Sequence, residues 1–233
     1  MRKILLVLGI IVGLTGLGTQ ASASTITYVT PAGSVNASAT FVTGAGELTI
    51  TLQDLLVNPT TVAQLPTDLF FTLSGNLTSG SLTSSSGQER TVAADGTFTD
   101  GAVVSTGWLL TSGATFHLDD LNGGAGPTHT ILGPPDGSGH YSNANGSIAG
   151  NIAHNPFLNQ TATFILSIPG MTAGTTVTGA TFSFGTVSGN DVPGVPGGGG
   201  GATIPEPASM LLFGLGLMGG ARRLTRMKKA ANR

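Results

Sequence analysis

The densest group of possible metal ligands in this sequence is Asp119, Asp120, Asn122 and Asp136. Carboxylate and amide oxygens are hard donors, and several around one irregular segment suit Ca²⁺. The spacing departs from the helix–loop–helix calcium motif, which needs donors at alternate positions, a glycine sixth and a glutamate twelfth. An ordinary solvated acidic loop would use the same residue types. Asp119, Asp120 and Asp136 therefore stand as calcium candidates, and no metal is assigned from sequence. His117, His129, His140 and His154 lack the short spacings of a helical or finger zinc site. Serine, aspartate and histidine all occur, but no Gly-x-Ser-x-Gly elbow is present to position a nucleophile. The chain has no cysteine, which removes thiol catalysis and disulfides together. The expectation is a protein that is not an enzyme and needs no cofactor. Carbohydrate-binding faces use several aromatic rings on one surface. Here Tyr28, Trp108 and Tyr141 are the only amphipathic aromatics, and Trp108, beside Leu109 and Leu110, reads as core.

Stronger information lies at the C-terminal end. Pro205-Glu206-Pro207 is followed by the uncharged run Ala208 to Ala221, then by Arg222-Arg223 and further basic residues up to Arg233. Two prolines fix φ, and the residue before each avoids the helical region, so the box is held extended. As a helix, the uncharged run would rise about 21 Å. A hydrocarbon core is about 30 Å thick, so the run predicts a short, weakly held transmembrane helix. Snorkelling arginines at 222 and 223 extend its reach. Basic residues stay in the cytoplasm, which makes Arg222 and Arg223 a cytoplasmic stop and puts the preceding body outside.

Box, apolar run and basic end, from Ile204 to about Lys229, resemble the PEP-CTERM sorting signal of Gram-negative bacterial surface proteins. The resemblance implies that Pro205, Glu206 and Pro207 are recognised by exosortase, an integral-membrane, cysteine-dependent enzyme that cuts near the box. It further implies an inner-membrane stage, then the cell surface or extracellular matrix, in association with exopolysaccharide and biofilm. Gly46-Glu47-Leu48-Thr49-Ile50-Thr51-Leu52 and Ala180-Thr181-Phe182-Ser183-Phe184-Gly185-Thr186 also look like strands of exosortase-dependent surface domains. That likeness implies a β-sandwich without known catalytic activity.

The N-terminal end agrees with export. Met1-Arg2-Lys3 is positive, Ile4 to Leu17 is apolar, and Ala21-Ser22-Ala23 offers the small residues that signal peptidase requires. Cleavage is expected after Ala23, giving a signal peptide over 1–23. What remains before the sorting box is strongly acidic. Between Ser24 and Ile204, Arg90 is the only basic residue against ten acids, a net charge of −9 with histidine neutral. Such a body is not expected to bind nucleic acid, because phosphate recognition needs surface lysine and arginine. Neutral polysaccharide, divalent cations, or solubility alone suit it better.

The elements that would position these groups read as β throughout. Thr25–Thr30, Ser38–Val42, Glu47–Leu52, Leu69–Ser74, Val103–Leu110, Ala114–Leu118, Thr161–Ile168 and Thr175–Phe184 are rich in threonine, valine and aromatics. In Glu47–Leu52, Leu48, Ile50 and Leu52 face one way and Thr49 and Thr51 the other. Glycine, asparagine, serine and proline clusters separate the runs. A weak helix is possible at Thr61–Leu65, and Asn122–Gly146 forms the longest irregular loop. The pattern predicts one antiparallel β-sandwich of Greek-key or jelly-roll type over 24–190. A flexible glycine-rich linker is predicted over 191–203, and the sorting signal over 204–233. By class the function is structural or adhesive. The alternatives are a carbohydrate-binding module or a calcium-dependent adhesin of the matrix.

Overall fold

A computed structural model gives the architecture and describes residues 23–121 and 128–197. Outside the described residues lie the predicted signal peptide up to Ser22, with Ala21, and Asn122. So do linker residues 198–203 and the whole sorting signal, including Pro205, Glu206, Pro207, Arg222 and Arg223. Ala23 is exposed and immediately precedes the first strand. Among the described residues no helix is long and apolar enough to cross a membrane.

The described chain is all-β. The strands are β1 (Ser24–Val29), β2 (Ala37–Thr43), β3 (Glu47–Asp54), β4 (Pro66–Leu73), β5 (Ser81–Val92), β6 (Phe98–Val104) and β7 (Leu109–Thr111). There follow β8 (Phe116–Asp119), β9 (Ile131–Leu132), β10 (Phe157–Ser167), β11 (Val177–Phe184), β12 (Asp191–Pro193) and β13 (Val195–Pro196). The larger sheet runs β13-β1-β2-β3-β10-β5-β6, with β9 paired in parallel to β10; the smaller runs β12-β11-β4-β8-β7. All other pairings are antiparallel.

Burial follows the two-residue period. Leu48, Ile50 and Leu52 are wholly buried, while Thr49 and Thr51 between them are half-buried. Alternate residues of both sheets form one core, in which Phe41 of β2 meets Phe71 of β4 at 5.4 Å between ring centroids. Trp108, at 5.2 Å from Phe164, closes one side of it. The predicted helix at Thr61–Leu65 shrinks to a single 3₁₀ turn, Val62–Gln64, held by a Thr61/Gln64 capping box.

Three expectations are revised. The predicted strand Val103–Leu110 is broken at Ser105–Trp108, where the chain leaves one sheet for the other. Gly107 there adopts φ +77°, a conformation that favours glycine. The expected irregular loop Asn122–Gly146 contributes Ile131 of β9 to the main core, and Leu132 of β9 and the buried Tyr141 to a second small core with Val62, Leu65, Val92, Ile148 and Phe157. The predicted linker begins later than its composition suggested, because residues 191–197 are part of the sheets. β12 pairs with β11, and β13 pairs with β1. Between them the chain crosses at Gly194, whose N–H donates to Ala180 O at 2.8 Å. A Cβ at Gly194 would lie 2.9 Å from the Phe182 ring, so glycine serves close approach here. Pro193 and Pro196 lack a ladder donor, which edge strands tolerate.

Candidate functional site

The calcium candidates separate in the fold. Asp119 ends β8 with its side chain on the outer face of the smaller sheet, because Phe116 and Leu118 alternate into the core. Asp120 follows it, wholly buried, and its Oδ2 accepts from Thr130 Oγ1 at 3.1 Å. Burial pushes the Asp120 carboxyl up to about 8, with the charges of Asp68 and Asp119 adding to the effect. Asp136 sits elsewhere, in a tight exposed turn. Its Oδ1 accepts from Ser138 Oγ at 2.6 Å and from the Ser138 and His140 N–H groups at 2.9 and 3.0 Å, and its Oδ2 accepts from Ser142 Oγ at 2.6 Å. The Ser138 and Ser142 hydroxyls, with those amides, hold the Asp136 carboxyl well below the usual range. Both oxygens of Asp136 are thus committed to its own turn, and it does not join Asp119 and Asp120.

Asp119 has different company. Asp68 of β4 lies directly opposite it, and His117 of β8 is two residues away on the same face. His117 Nε2 and Asp68 Oδ1 are 3.2 Å apart, and the imidazole stacks on Phe70 at 4.0 Å. Asp68, His117 and Asp119 each offer one ligand atom, and these atoms all lie within 4.8 Å of one another. Asp68 is 2% and Asp119 6% exposed. Burial raises the Asp68 carboxyl, opposed by His117 and reinforced by Asp119. Sequence reasoning missed Asp68 as a partner, since only strand pairing brings it to His117 and Asp119. Alternation in β4 does place Asp68 on the side opposite Leu69 and Phe71, and that was the one available signal.

The other histidines stay apart. His129 ring nitrogens lie 3.0 Å from Thr106 O and 3.1 Å from Glu89 Oε1. His140 belongs to the Asp136 turn, and His154 to the turn before Pro156.

Arg90, the one cation among the described residues, is 4% exposed. Its Nε and Nη2 donate to Asp100 at 2.6 and 2.9 Å, Nη1 donates to Tyr141 Oη at 3.0 Å, and the guanidinium lies 3.8 Å from the Phe98 ring centre. Burial opposes its charge, yet the bonds to Asp100 and Tyr141 more than offset this and raise its pKa. No cation is therefore presented by the described surface.

The aromatics expected of a sugar platform are interior. Tyr28, Trp108 and Tyr141 are all buried, and Trp108 Nε1 donates to His129 O at 3.1 Å. Hydroxyls take the half-buried and exposed outer positions. Thr27, Thr40, Thr51, Thr163 and Ser86 form one cross-strand row on the outer face of the larger sheet. On the smaller sheet an open groove of ≈ 380 Å³ is lined by Phe70, Thr72, Thr115, Thr178 and Thr181 among others.

Residues 203–226 match the family model for the PEP-CTERM protein-sorting motif. Among curated proteins and solved structures, none matches the chain.

Proposed function

With that sorting motif as premise, we propose that this is a non-enzymatic structural or adhesive component of the cell surface or its surrounding matrix. The motif supports exosortase-dependent sorting, with export and membrane-associated processing before surface localisation. Its match at residues 203–226 is the observation that carries the reading. Signal peptidase acts at Ala21-Ser22-Ala23, the inner membrane holds the tail until exosortase cuts near Pro205–Pro207, and the body remains outside. The body's surface chemistry supports a neutral polysaccharide as partner. The described surface offers acids and hydroxyls and no free cation, so anionic polymers and nucleic acid find no counter-charge. The threonine row and the groove beside Phe70 offer hydroxyl donors and acceptors to sugar hydroxyls without needing an aromatic platform.

The test combines processing and binding. Mass analysis of the C-terminal peptide, taken from the protein's own cells, should find an end near Pro205 to Ala208. An intact Arg233 in the surface fraction would overturn the sorting role. The released protein should then sediment with neutral exopolysaccharide equally well at low and high salt. Retention only by anionic polymer, or only with added Ca²⁺, would replace this reading with an adhesin of another kind.

A further inference from the structure

The outer face of the smaller sheet carries a row fixed by register across five strands: Asp191, Ser183, Asp68, Asp119 and Leu109. The neighbouring row holds Phe70 beside His117. Residues paired across strands share a face with Cβ atoms about 5 Å apart. Ser183, between the core residues Phe182 and Phe184, therefore stands beside Asp68 on the outer face. It is 0% exposed, and its Oγ has no hydrogen-bond partner. Asp120 Oδ1, at 0% exposure beside Asp119, is the other buried side-chain oxygen among the described residues without one. Buried polar atoms are almost always satisfied, and leaving one without a partner is destabilising. Of the two, Ser183 Oγ is the one that register places on the face of Asp68, His117 and Asp119; Asp120 follows Leu118 and Asp119 inward and reaches Thr130 with its other oxygen.

We propose that Asp68, His117 and Asp119 bind a divalent transition cation of the zinc type. Ser183 Oγ is its supporting oxygen, directly or through water. The donor chemistry chooses the cation. An imidazole nitrogen with two carboxylates is a zinc-type set, whereas Ca²⁺ takes oxygen ligands throughout. Asp68 Oδ1 and His117 Nε2, hydrogen-bonded to each other at 3.2 Å, already stand near the spacing of two ligands on one tetrahedral ion, roughly 3.3 Å at Zn–N and Zn–O lengths of about 2.0–2.1 Å. The ion's two positive charges would balance two carboxylates that β4 and β8 force together in a nearly dry position. Phe70, stacked on the ring, fixes its orientation.

The test uses the untagged full chain in detergent, stripped with a chelator and dialysed against metal-free buffer. Zn²⁺ alone is titrated against a competing chromophoric chelator, and bound metal is counted by mass spectrometry. One Zn²⁺ per chain is expected, with a rise in Tm and no displacement by millimolar Ca²⁺. His117→Gln and Asp119→Asn should each weaken binding at least tenfold while far-ultraviolet circular dichroism stays unchanged. His140→Ala and His154→Ala should bind as the parent does. Failure of the parent chain to take up a stoichiometric ion overturns the site by itself. So does retention of binding by either folded ligand variant, or binding of Ca²⁺ as tight as Zn²⁺. If one ligand variant does not fold, the other is read; if neither folds, the parent's stoichiometry and the Ca²⁺ competition decide.

Discussion

Replacing Arg90 with alanine removes the only cation among the described residues from a site that leaves it 4% exposed. The change breaks two charge-assisted bonds to Asp100, at 2.6 and 2.9 Å, together with the Tyr141 bond and the contact over Phe98. Removing one partner of a buried pair costs about 3–5 kcal/mol. The Asp100 side chain is 33% exposed and regains water, so the lower end applies to the pair. A cation–π contact adds about 0.5–1 kcal/mol. Tyr141 keeps its own donation to Gly133 O at 2.8 Å and is not orphaned. The expected loss is therefore about 3–4 kcal/mol, which in a domain of this size lowers Tm by roughly 10 °C. Arg90→Lys keeps the charge but not the planar fork, and should lose about half as much. Asp100→Asn leaves the deeper partner charged and uncompensated, and should cost at least as much as Arg90→Ala. Urea unfolding followed by the fluorescence of Trp108, the single tryptophan, measures all three. A loss below about 1 kcal/mol for Arg90→Ala, or lysine performing as well as arginine, would refute the claim that fork geometry matters here.

Asp54 gives a pH test. Burial raises its carboxyl well above the usual value, against the N–H bonds it accepts from Leu56 and Gly133. A raised carboxyl contributes stability that is fully present below the unfolded pKa, about 4, and is lost as pH rises through the folded one. Urea midpoints of the parent should therefore fall over that window relative to those of Asp54→Asn, and parallel profiles would contradict this. Asp54→Ala orphans the buried Gly133 N–H and the part-buried Leu56 N–H and should cost about 2–4 kcal/mol near pH 4 and less as pH rises, read by the same unfolding curves. Gly194→Val drives a side chain into the Phe182 ring and Ala180 O, and should cost about 1–3 kcal/mol and speed proteolysis near residue 194, followed by mass spectrometry. Glu206→Ala should leave full-length protein in the membrane fraction on immunoblots, and normal processing of that variant would remove Glu206 from exosortase recognition.

Strands whose alternation buries one face were legible in the sequence: β1, β2, β3, β4, β10 and β11 lie within a few residues of where composition put them. β5 was not. Ser81–Val92 is mostly serine, threonine, glycine and charge, and reads as turn because few of its side chains enter a core. It is a strand because β10 and β6 hold its backbone on both sides, and because Gly87 lets Leu158 lie against it. That information resides in the neighbours. The Asp68–His117–Asp119 group was hidden for the same reason, since register across β4 and β8 has no local trace. Asp136 misled in the opposite direction: Asp-Gly-Ser-Gly-His resembles a donor loop, yet its serines and amides consume the carboxylate. The Gly/Pro content of residues 191–197 signalled flexibility, whereas the fold uses those residues for close approach and edge pairing.

That last segment has a mechanical consequence. The chain leaves the sandwich through β12, Gly194 and β13, and the sorting motif begins at residue 203, a few residues beyond. While a membrane holds the tail, any tension on it reaches the fold through these short pairings. They break in sequence from the C-terminal end: Gly197 from Thr27, Val195 and Pro196 from β1, Gly194 from Ala180, then β12 from β11. Seven residues at about 3.3 Å each release up to about 23 Å of chain before any long strand carries load. A clasp built of such short pairings would give slack under load before the core opened, as a fuse does.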